Sequence, residues 1–318
     1  MIRDLGLEDR LAGVTFECPS DKPAVIRSYL EGHAYDSAEI DRVVSEAARE
    51  GRSLYYVDRE LLERLSPDLV FTQHVCDVCQ IGTSEVERAL FGLTKIPKVV
   101  PLVPRRFEDV VENARTIARE LGDAAAGERL VAACRARLDA VVDRLRAHRL
   151  PVRRALVLEW LDPLYNCGHW IPDQIALAGG SDALSNPAGY SVPLDWERLR
   201  RYDPEVLVAA PCGFQVARAE QELDRLTRLE GWEDLRAVQS GRAFLADADL
   251  FTQPSLGGLV DGVELLAALF HPAVFTVPPH LAGRVKPIAS ARQQPDPHGK
   301  VAHAGGQEEQ AAKAPQPA

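Results

Sequence analysis

The sequence predicts an α/β protein of two similar lobes with parallel sheets, joined by one long helix, with a ligand cleft between the lobes. Residues 60–71 and 197–208 repeat one pattern, a helix, a Pro-Asp or Pro-Glu turn and a short apolar strand. An uninterrupted helical pattern lies between the copies, and a cysteine follows each copy. Because parallel strands end at a shared edge where ligands bind, facing lobes bring both cysteine segments to one cleft.

The elements of the first lobe follow from the periodicity of its apolar residues. Residues 11–16 predict a strand that ends at Glu17-Cys18-Pro19. The elements predicted after it are a helix over 38–49, a strand over 54–57, a helix from 59, a strand over 69–72, a helix over 83–90, a strand over 98–103 and a helix over 107–121.

A single helix over residues 125–148 is predicted to link the lobes. Its roughly 24 residues correspond to about 36 Å, which suits a rigid spine. The elements predicted in the second lobe are a strand over 155–160, a helix over 171–178 ended by Gly179-Gly180, the second repeat, a helix near 220–229, a strand over 243–245 and a helix over 258–270.

Four segments of the chain are therefore expected. They are an N-terminal lobe over residues 1–122, a linking helix over 123–150, a C-terminal lobe over 151–278 and a disordered tail over 279–318. The tail is assigned by its Pro, Gln, Ala and Gly content, which gives little apolar surface to bury.

Composition excludes several classes of function. A net charge of -10 and a pI near 5.4 oppose binding to nucleic acid. The sequence has no apolar run of about 20 residues, so no membrane-embedded segment is expected. The protein is also predicted to be a monomer. The N-terminus shows no signal peptide, so the chain as written is predicted to be cytoplasmic, or periplasmic or cell-surface if the N-terminus is truncated. In the cytoplasm the six cysteines are expected to remain thiols or to bind a ligand.

Six short motifs occur in a fixed order along the chain. They are Glu17-Cys18-Pro19, residues 72–79 with Cys76-Asp77-Val78-Cys79, residues 159–164, residues 168–172, Ala178-Gly179-Gly180 and residues 210–214. Together they resemble the cobalamin-binding, helical-backbone class of ABC-importer substrate-binding proteins, over roughly residues 5–272. The resemblance implies Rossmann-like lobes that clamp a corrinoid or an iron chelate, without catalysis and without a required cofactor.

The resemblance also implies an ABC permease as partner. In that family one acidic residue on each lobe pairs with arginines of the permease, and by position these are Glu60 and Glu197. The alternative is that both are solvated carboxylates favoured by the dipole at a helix start. The sequence departs from the family in lacking its usual opening strand and an export signal. A truncated N-terminus explains both departures, and the alternative is a corrinoid binder that acts in the cytoplasm.

Cysteine and histidine residues near the strand ends are candidates for contact with a metal. Cys76 and Cys79 can chelate a soft metal or cycle as a dithiol, and Cys18, Cys167, His169 and Cys212 can converge with them. His169 is the best candidate for an axial ligand, since imidazole suits cobalt and iron. Direct binding of zinc or copper, and plain lining of the cleft, are the alternatives.

Aromatic side chains supply the rest of the predicted site, because a flat macrocycle is bound mainly by apolar contact. The expected ligand-binding residues are Glu17, Cys18, Cys76, Cys79, Glu159, Trp160, Tyr165, His169, Trp170, Tyr190, Cys212 and Phe214. The sequence does not separate a corrinoid from haem or a siderophore. No nucleotide-binding or hydrolase motif is present, so a Cys-x-x-Cys thiol oxidoreductase is the one enzymatic alternative.

Overall fold

The computed structural model of the protein describes residues 1–73 and 89–289. Most of the helix predicted over 83–90, and the predicted tail beyond residue 289, lie outside this part. Its α-helices are Ser37–Arg49, Arg59–Leu65, Phe107–Glu120, Ala124–Ala147, Ile171–Leu177, Trp196–Tyr202, Val216–Glu220, Asp224–Thr227, Arg236–Gln239 and Leu256–Phe270. Its strands are Val14–Thr15, Ala24–Ser28, Tyr55–Val57, Leu69–Gln73, Lys98–Leu102, Arg153–Leu158, Trp160–Leu161, Leu164–Tyr165, Gly168–His169, Gly180–Ser181, Asn186–Pro187, Val206–Ala209, Ala243–Ala246 and Val285–Pro287.

The C-terminal lobe is built on a five-stranded sheet. Its order is Gly180–Ser181, Arg153–Leu158, Val206–Ala209, Ala243–Ala246 and Val285–Pro287, parallel except for the last strand. The second to fourth of these strands are largely buried, and hydrophobic clusters cover both faces of the sheet. Burial on both faces explains why these strands are continuous apolar runs rather than alternating ones. The predicted α/β fold class with parallel sheets is confirmed.

The N-terminal lobe contains two small sheets, which are not hydrogen-bonded to each other in the described residues. One is three-stranded with Ala24–Ser28 in the middle, and the other pairs Leu69–Gln73 with Lys98–Leu102 in parallel. The strand Ala24–Ser28 was not predicted from the sequence. Only two strongly apolar residues, Val25 and Ile26, lie between its polar flanks, which is too short a run to identify by periodicity.

The long helix Ala124–Ala147 agrees closely with the prediction of a helix over residues 125–148. It packs against the helix Phe107–Glu120 of the first lobe and the helix Leu256–Phe270 of the second. A Cβ atom on Gly127 would lie 2.9 Å from the Cβ of Ala118, so glycine permits the close approach of the first pair. Arg137 ties the helix to the second lobe by ion pairs with Asp261 and Glu264.

The sequence repeat is confirmed as a repeat of local structure. The helices Arg59–Leu65 and Trp196–Tyr202 are each capped by an aspartate, whose carboxylate accepts from a backbone N–H at 2.9 Å. Each helix ends at a non-glycine residue in the left-handed conformation, Ser66 with φ 44° and Asp203 with φ 46°. A parallel strand follows in both copies, so the two lobes share this unit.

Two predictions about the C-terminal lobe need correction. Residues 279–284 form a 3-10 helix, and Val285–Pro287 is a strand of the main sheet, so the predicted tail over 279–318 is ordered at least to residue 289. Leu281 and Ile288 are buried, and these two apolar anchors hold the segment despite its polar composition. The helix predicted near 220–229 is divided into two short helices. In the described residues no helix is both long and apolar enough to cross a membrane.

Candidate functional site

A cavity of about 1910 Å³ lies between the two lobes. Its lining combines the loop after the strand Val14–Thr15, the end of the strand Leu69–Gln73 and the loops that follow the central strands of the C-terminal lobe. The lining residues that the sequence predicted are Glu17, Cys18, Glu159, Trp160, Tyr165, His169, Trp170, Tyr190, Cys212 and Phe214. Cys76 and Cys79 lie outside the described residues.

One wall of the cavity is formed by the aromatic pair Trp160 and Phe214. Their ring centroids are 5.3 Å apart at an interplanar angle of 54°. The guanidinium of Arg218 lies over the second ring of this pair, with Cζ 4.3 Å from the Phe214 centroid. The tilted ring contact and the cation–π contact favour this orientation of the rings.

A second aromatic group surrounds His169. The imidazole centroid lies 5.5 Å from the ring of Tyr190 and 5.4 Å from the ring of Trp170. Trp170 itself is only 2% exposed and donates from its indole to the carbonyl of Phe251 at 2.6 Å, so it supports the wall more than it contacts a ligand. Tyr190 is 44% exposed and lines the cavity.

Burial lowers the pKa of His169 below its ordinary value, and the positive charge of Arg105 adds to the effect. The imidazole is therefore neutral at pH 7, which leaves a ring nitrogen free to coordinate a metal or accept a hydrogen bond. The backbone of His169 adopts φ 51°, a left-handed conformation that residues other than glycine rarely take. A neighbouring loop holds this backbone, since the N–H of His169 donates to the carbonyl of Gly189 at 2.6 Å.

Close packing of Gly168 against this loop explains how the site is positioned. A Cβ atom at this position would lie 2.5 Å from the carbonyl oxygen of Gly189 and 2.6 Å from the backbone nitrogen of Ser191. The N–H of Gly168 donates to the carboxylate of Glu159 at 2.7 Å. Glu159, which was predicted to bind the ligand, thus braces the backbone beside His169.

Two acidic residues differ in their surroundings. Glu17 is exposed to the cleft, yet protein atoms on the cavity walls desolvate its carboxylate and raise its pKa. Asp162 lies outside the cavity lining and forms an ion pair with Arg225. A carboxylate in the cavity wall can accept a hydrogen bond from an amide or hydroxyl group of a ligand.

The expected convergence of the cysteines is corrected for Cys167. Its thiol is fully buried beneath the site, where it contacts the carboxylate of Asp182 at 3.5 Å, and burial raises its pKa well above the ordinary value. Cys18 and Cys212 are exposed and line the cavity from opposite lobes. Among the described residues no group of three or more His, Cys, Asp or Glu side chains can hold a metal ion.

A third wall of the cavity, contributed by the helix Ser37–Arg49, was not predicted from the sequence. Ile40, Asp41 and Val44 of this helix line the cavity, and Ile40 packs against the core of the C-terminal lobe. The helical periodicity of residues 38–49 was a usable signal for the helix, but not for the lobe that it contacts. The cavity also extends between the two sheets of the N-terminal lobe, where Leu62 and Ile117 line it.

Residues 42–250 match the family of periplasmic binding proteins. The chain therefore belongs to this family, whose members are substrate-binding proteins of ABC transporters. The predicted class of protein is confirmed at this level. No relative was found among curated proteins.

Solved structures of similar fold include proteins described with three kinds of ligand. A periplasmic haem-binding protein from Pseudomonas aeruginosa has a TM-score of 0.61 and 18% identity over 91% of this chain and 94% of that one. An ABC-type Fe3+-hydroxamate transport protein from Saccharomonospora viridis has a TM-score of 0.59 and 19% identity, over 85% and 88%. The vitamin B12 binding protein BtuF of Vibrio cholerae has a TM-score of 0.55 and 16% identity, over 86% and 92%.

Proposed function

We propose that this protein binds a corrinoid of the cobalamin type in the cavity between its lobes, as the substrate-binding component of an ABC importer. Binding without catalysis is the proposed activity. The observation that carries the proposal is a large aromatic cavity between two lobes, with a neutral imidazole on its wall.

The size and lining of the cavity favour a large, flat ligand. Its volume of about 1910 Å³, which includes the space between the two sheets of the N-terminal lobe, exceeds the roughly 300–1,000 Å³ of pockets that hold drug-sized molecules. Apolar and aromatic side chains form much of the lining, and charged groups such as Glu17 and Asp41 lie among them. A tetrapyrrole-like macrocycle buries such a surface, while Trp160, Phe214 and Tyr190 offer rings against its faces or edges.

His169 is proposed as the axial ligand of the bound metal. Its imidazole is neutral and lies on the cavity wall between Tyr190 and Trp170. Nitrogen ligands of this type suit cobalt and iron, and rigid packing holds the ring in place before binding. Cys18 and Cys212 line the same cavity and are proposed to contact the ligand without a coordinating role.

Titration with hydroxocobalamin tests the proposal, because its exchangeable axial water can be replaced by imidazole. We expect quenching of tryptophan fluorescence on binding, together with a shift in the visible spectrum of the corrinoid. The variant His169→Ala should retain the quenching and lose the spectral shift. His148→Ala is the matched control, since His148 is exposed at the end of the linking helix and does not line the cavity.

Two outcomes would count against the proposal. An unchanged fluorescence and visible spectrum would refute corrinoid binding, and a full spectral shift with His169→Ala would refute axial ligation by this residue. Haem is the second candidate, because the same imidazole and aromatic walls suit an iron porphyrin. Parallel titrations with hemin and with a ferric hydroxamate rank the three ligand classes by dissociation constant.

Glu60 and Glu197 are proposed as the contacts to the permease. They occupy equivalent positions in the first turns of the two repeated helices, and both are exposed. The carboxylate of Glu197 lies 2.8 Å from Arg200 of its own helix, an exposed pair that an arginine of a partner can replace at little cost. Equal local geometry on both lobes favours a two-point docking interaction.

A further inference from the structure

The segment of residues 35–41 belongs to the N-terminal lobe by sequence but is bound to the C-terminal lobe. The backbone N–H of Ser37 donates to the carboxylate of Glu222 at 2.7 Å, across 185 positions of sequence. The carbonyl of Ser37 accepts from the indole of Trp160 at 3.1 Å. Both Ser37 and Glu222 are buried, so water does not compete for these hydrogen bonds.

Charged side chains surround this contact. Arg225 of the C-terminal lobe pairs with Asp36 at 2.5 Å and with Asp162 of its own lobe. Arg218 donates to the carbonyl of Tyr35 at 2.9 Å. The guanidinium of Arg225 thus joins an aspartate from each lobe, and its side chain is 28% exposed. An ion pair in this position is partly desolvated and still accessible to salt.

The same contact forms part of the cavity wall. Tyr165 donates its hydroxyl to the carboxylate of Asp41 at 3.0 Å, and both residues line the cavity together with Ile40 and Trp160. Among the described residues, the linking helix Ala124–Ala147 contributes nothing to the lining. The lobes are therefore joined at the cavity by residues 35–41 and also by a hydrogen bond from the hydroxyl of Ser255 to the carboxylate of Asp4 at 2.5 Å. Away from the cavity they are joined by the linking helix and by the ion pair of Arg106 with Asp173.

We propose that residues 35–41, with Arg225 and Glu222, form a clasp between the lobes that must separate for the cleft to open. On opening, the helix Ser37–Arg49 moves away from the C-terminal lobe, because Asp36 and Ser37 at its N-terminus make the contacts with that lobe. Separation breaks the Asp36–Arg225 pair and exposes the amide of Ser37, while the ion pair of Arg225 with Asp162 stays within one lobe. The clasp does not depend on which ligand the cleft binds.

Hydrogen exchange at the Ser37 amide, measured without any ligand, tests the clasp. We expect Arg225→Met to speed this exchange about tenfold or more, since charge-assisted hydrogen bonds hold the closed form. Arg225→Lys should restore part of the protection. Arg228→Met is the matched control, because Arg228 pairs with Asp224 on the surface of the same lobe and its replacement removes the same charge.

Two further measurements separate opening from local loosening or misfolding. The Leu207 amide, in the central strand of the main sheet, should remain protected in every variant, which shows that the C-terminal lobe is folded. The radius of gyration from small-angle X-ray scattering should increase in Arg225→Met and not in Arg228→Met. Equal exchange at Ser37 in wild type and Arg225→Met would overturn the clasp, and faster exchange with an unchanged radius would overturn its role in cleft opening.

Discussion

Replacing Asp182 with asparagine should remove a pH dependence from the stability of the C-terminal lobe. Burial raises the pKa of Asp182 from 3.8 to about 6, although its carboxylate accepts from the backbone N–H of Leu184 at 2.8 Å. The folded state therefore binds the proton more tightly than the unfolded state does. The stability that this group contributes is fully present below about pH 3.8 and is lost as pH rises through about 6.

The size of the effect follows from the shift. About two pH units at about 1.4 kcal/mol each give roughly 3 kcal/mol over the whole window. The asparagine side chain would resemble the protonated acid in shape and hydrogen bonding, so the variant should not lose this stability. The free energy of unfolding of Asp182→Asn, minus that of wild type, should rise by roughly 3 kcal/mol as pH rises from below about 4 to about 7.

Urea denaturation followed by tryptophan fluorescence measures this difference. All four tryptophans lie at residue 160 or beyond, so the signal reports the C-terminal lobe that contains Asp182. Asp139→Asn, which removes an exposed carboxylate from the linking helix, controls for the change in net charge. A difference between Asp182→Asn and wild type that stays constant within about 0.5 kcal/mol across this range would refute the reasoning.

Two other predictions concern the positions that shape and use the site. Gly168→Ala should destabilise the protein by about 1–3 kcal/mol and weaken hydroxocobalamin binding, because the added Cβ would lie 2.5 Å from the carbonyl oxygen of Gly189. Urea denaturation and titration with hydroxocobalamin measure the two effects. Gly257→Ala is the control for both, since a Cβ at this helical position would lie 3.4 Å from its nearest neighbour, the carboxylate carbon of Asp4. Glu60→Arg and Glu197→Arg should each abolish corrinoid uptake by cells and leave the affinity of the purified protein for hydroxocobalamin unchanged. Unimpaired uptake by both variants would contradict the proposed docking to a permease.

The sequence was most informative where local pattern alone decides structure. The repeat indicated both short helices and the strands after them, and uninterrupted helical periodicity indicated the linking helix within a residue or two of its ends. Rules for parallel sheets placed the loops after the strands at one cleft. Most predicted cavity residues, such as Trp160 and Phe214, follow from these two kinds of information together.

Contacts between distant segments could not be predicted in the same way. The hydrogen bond from Ser37 to Glu222 depends on how the lobes face each other, and nothing in either local pattern records it. Cys167 looked equivalent to Cys18 because both follow strands, yet one thiol is buried against Asp182 and the other is exposed. A strand end in the sequence shows which residues come near the edge of the sheet. Whether such a side chain is buried or exposed depends on how the neighbouring loop packs over it.

The unequal cores of the two lobes give the clasp its physical importance. In the described residues, large hydrophobic clusters cover both faces of the C-terminal sheet, and one of them includes buried residues of the helix Phe107–Glu120. The two sheets of the N-terminal lobe, in contrast, pack on small clusters around Leu62 and Ile117. A region with less buried apolar surface opens at a lower free-energy cost. The clasp joins the helix Ser37–Arg49, from the lobe with the smaller hydrophobic core, to the lobe with the larger one. It therefore stabilises the cavity wall that this helix forms. Removing the Arg225 side chain should therefore disturb that wall before it disturbs the main sheet.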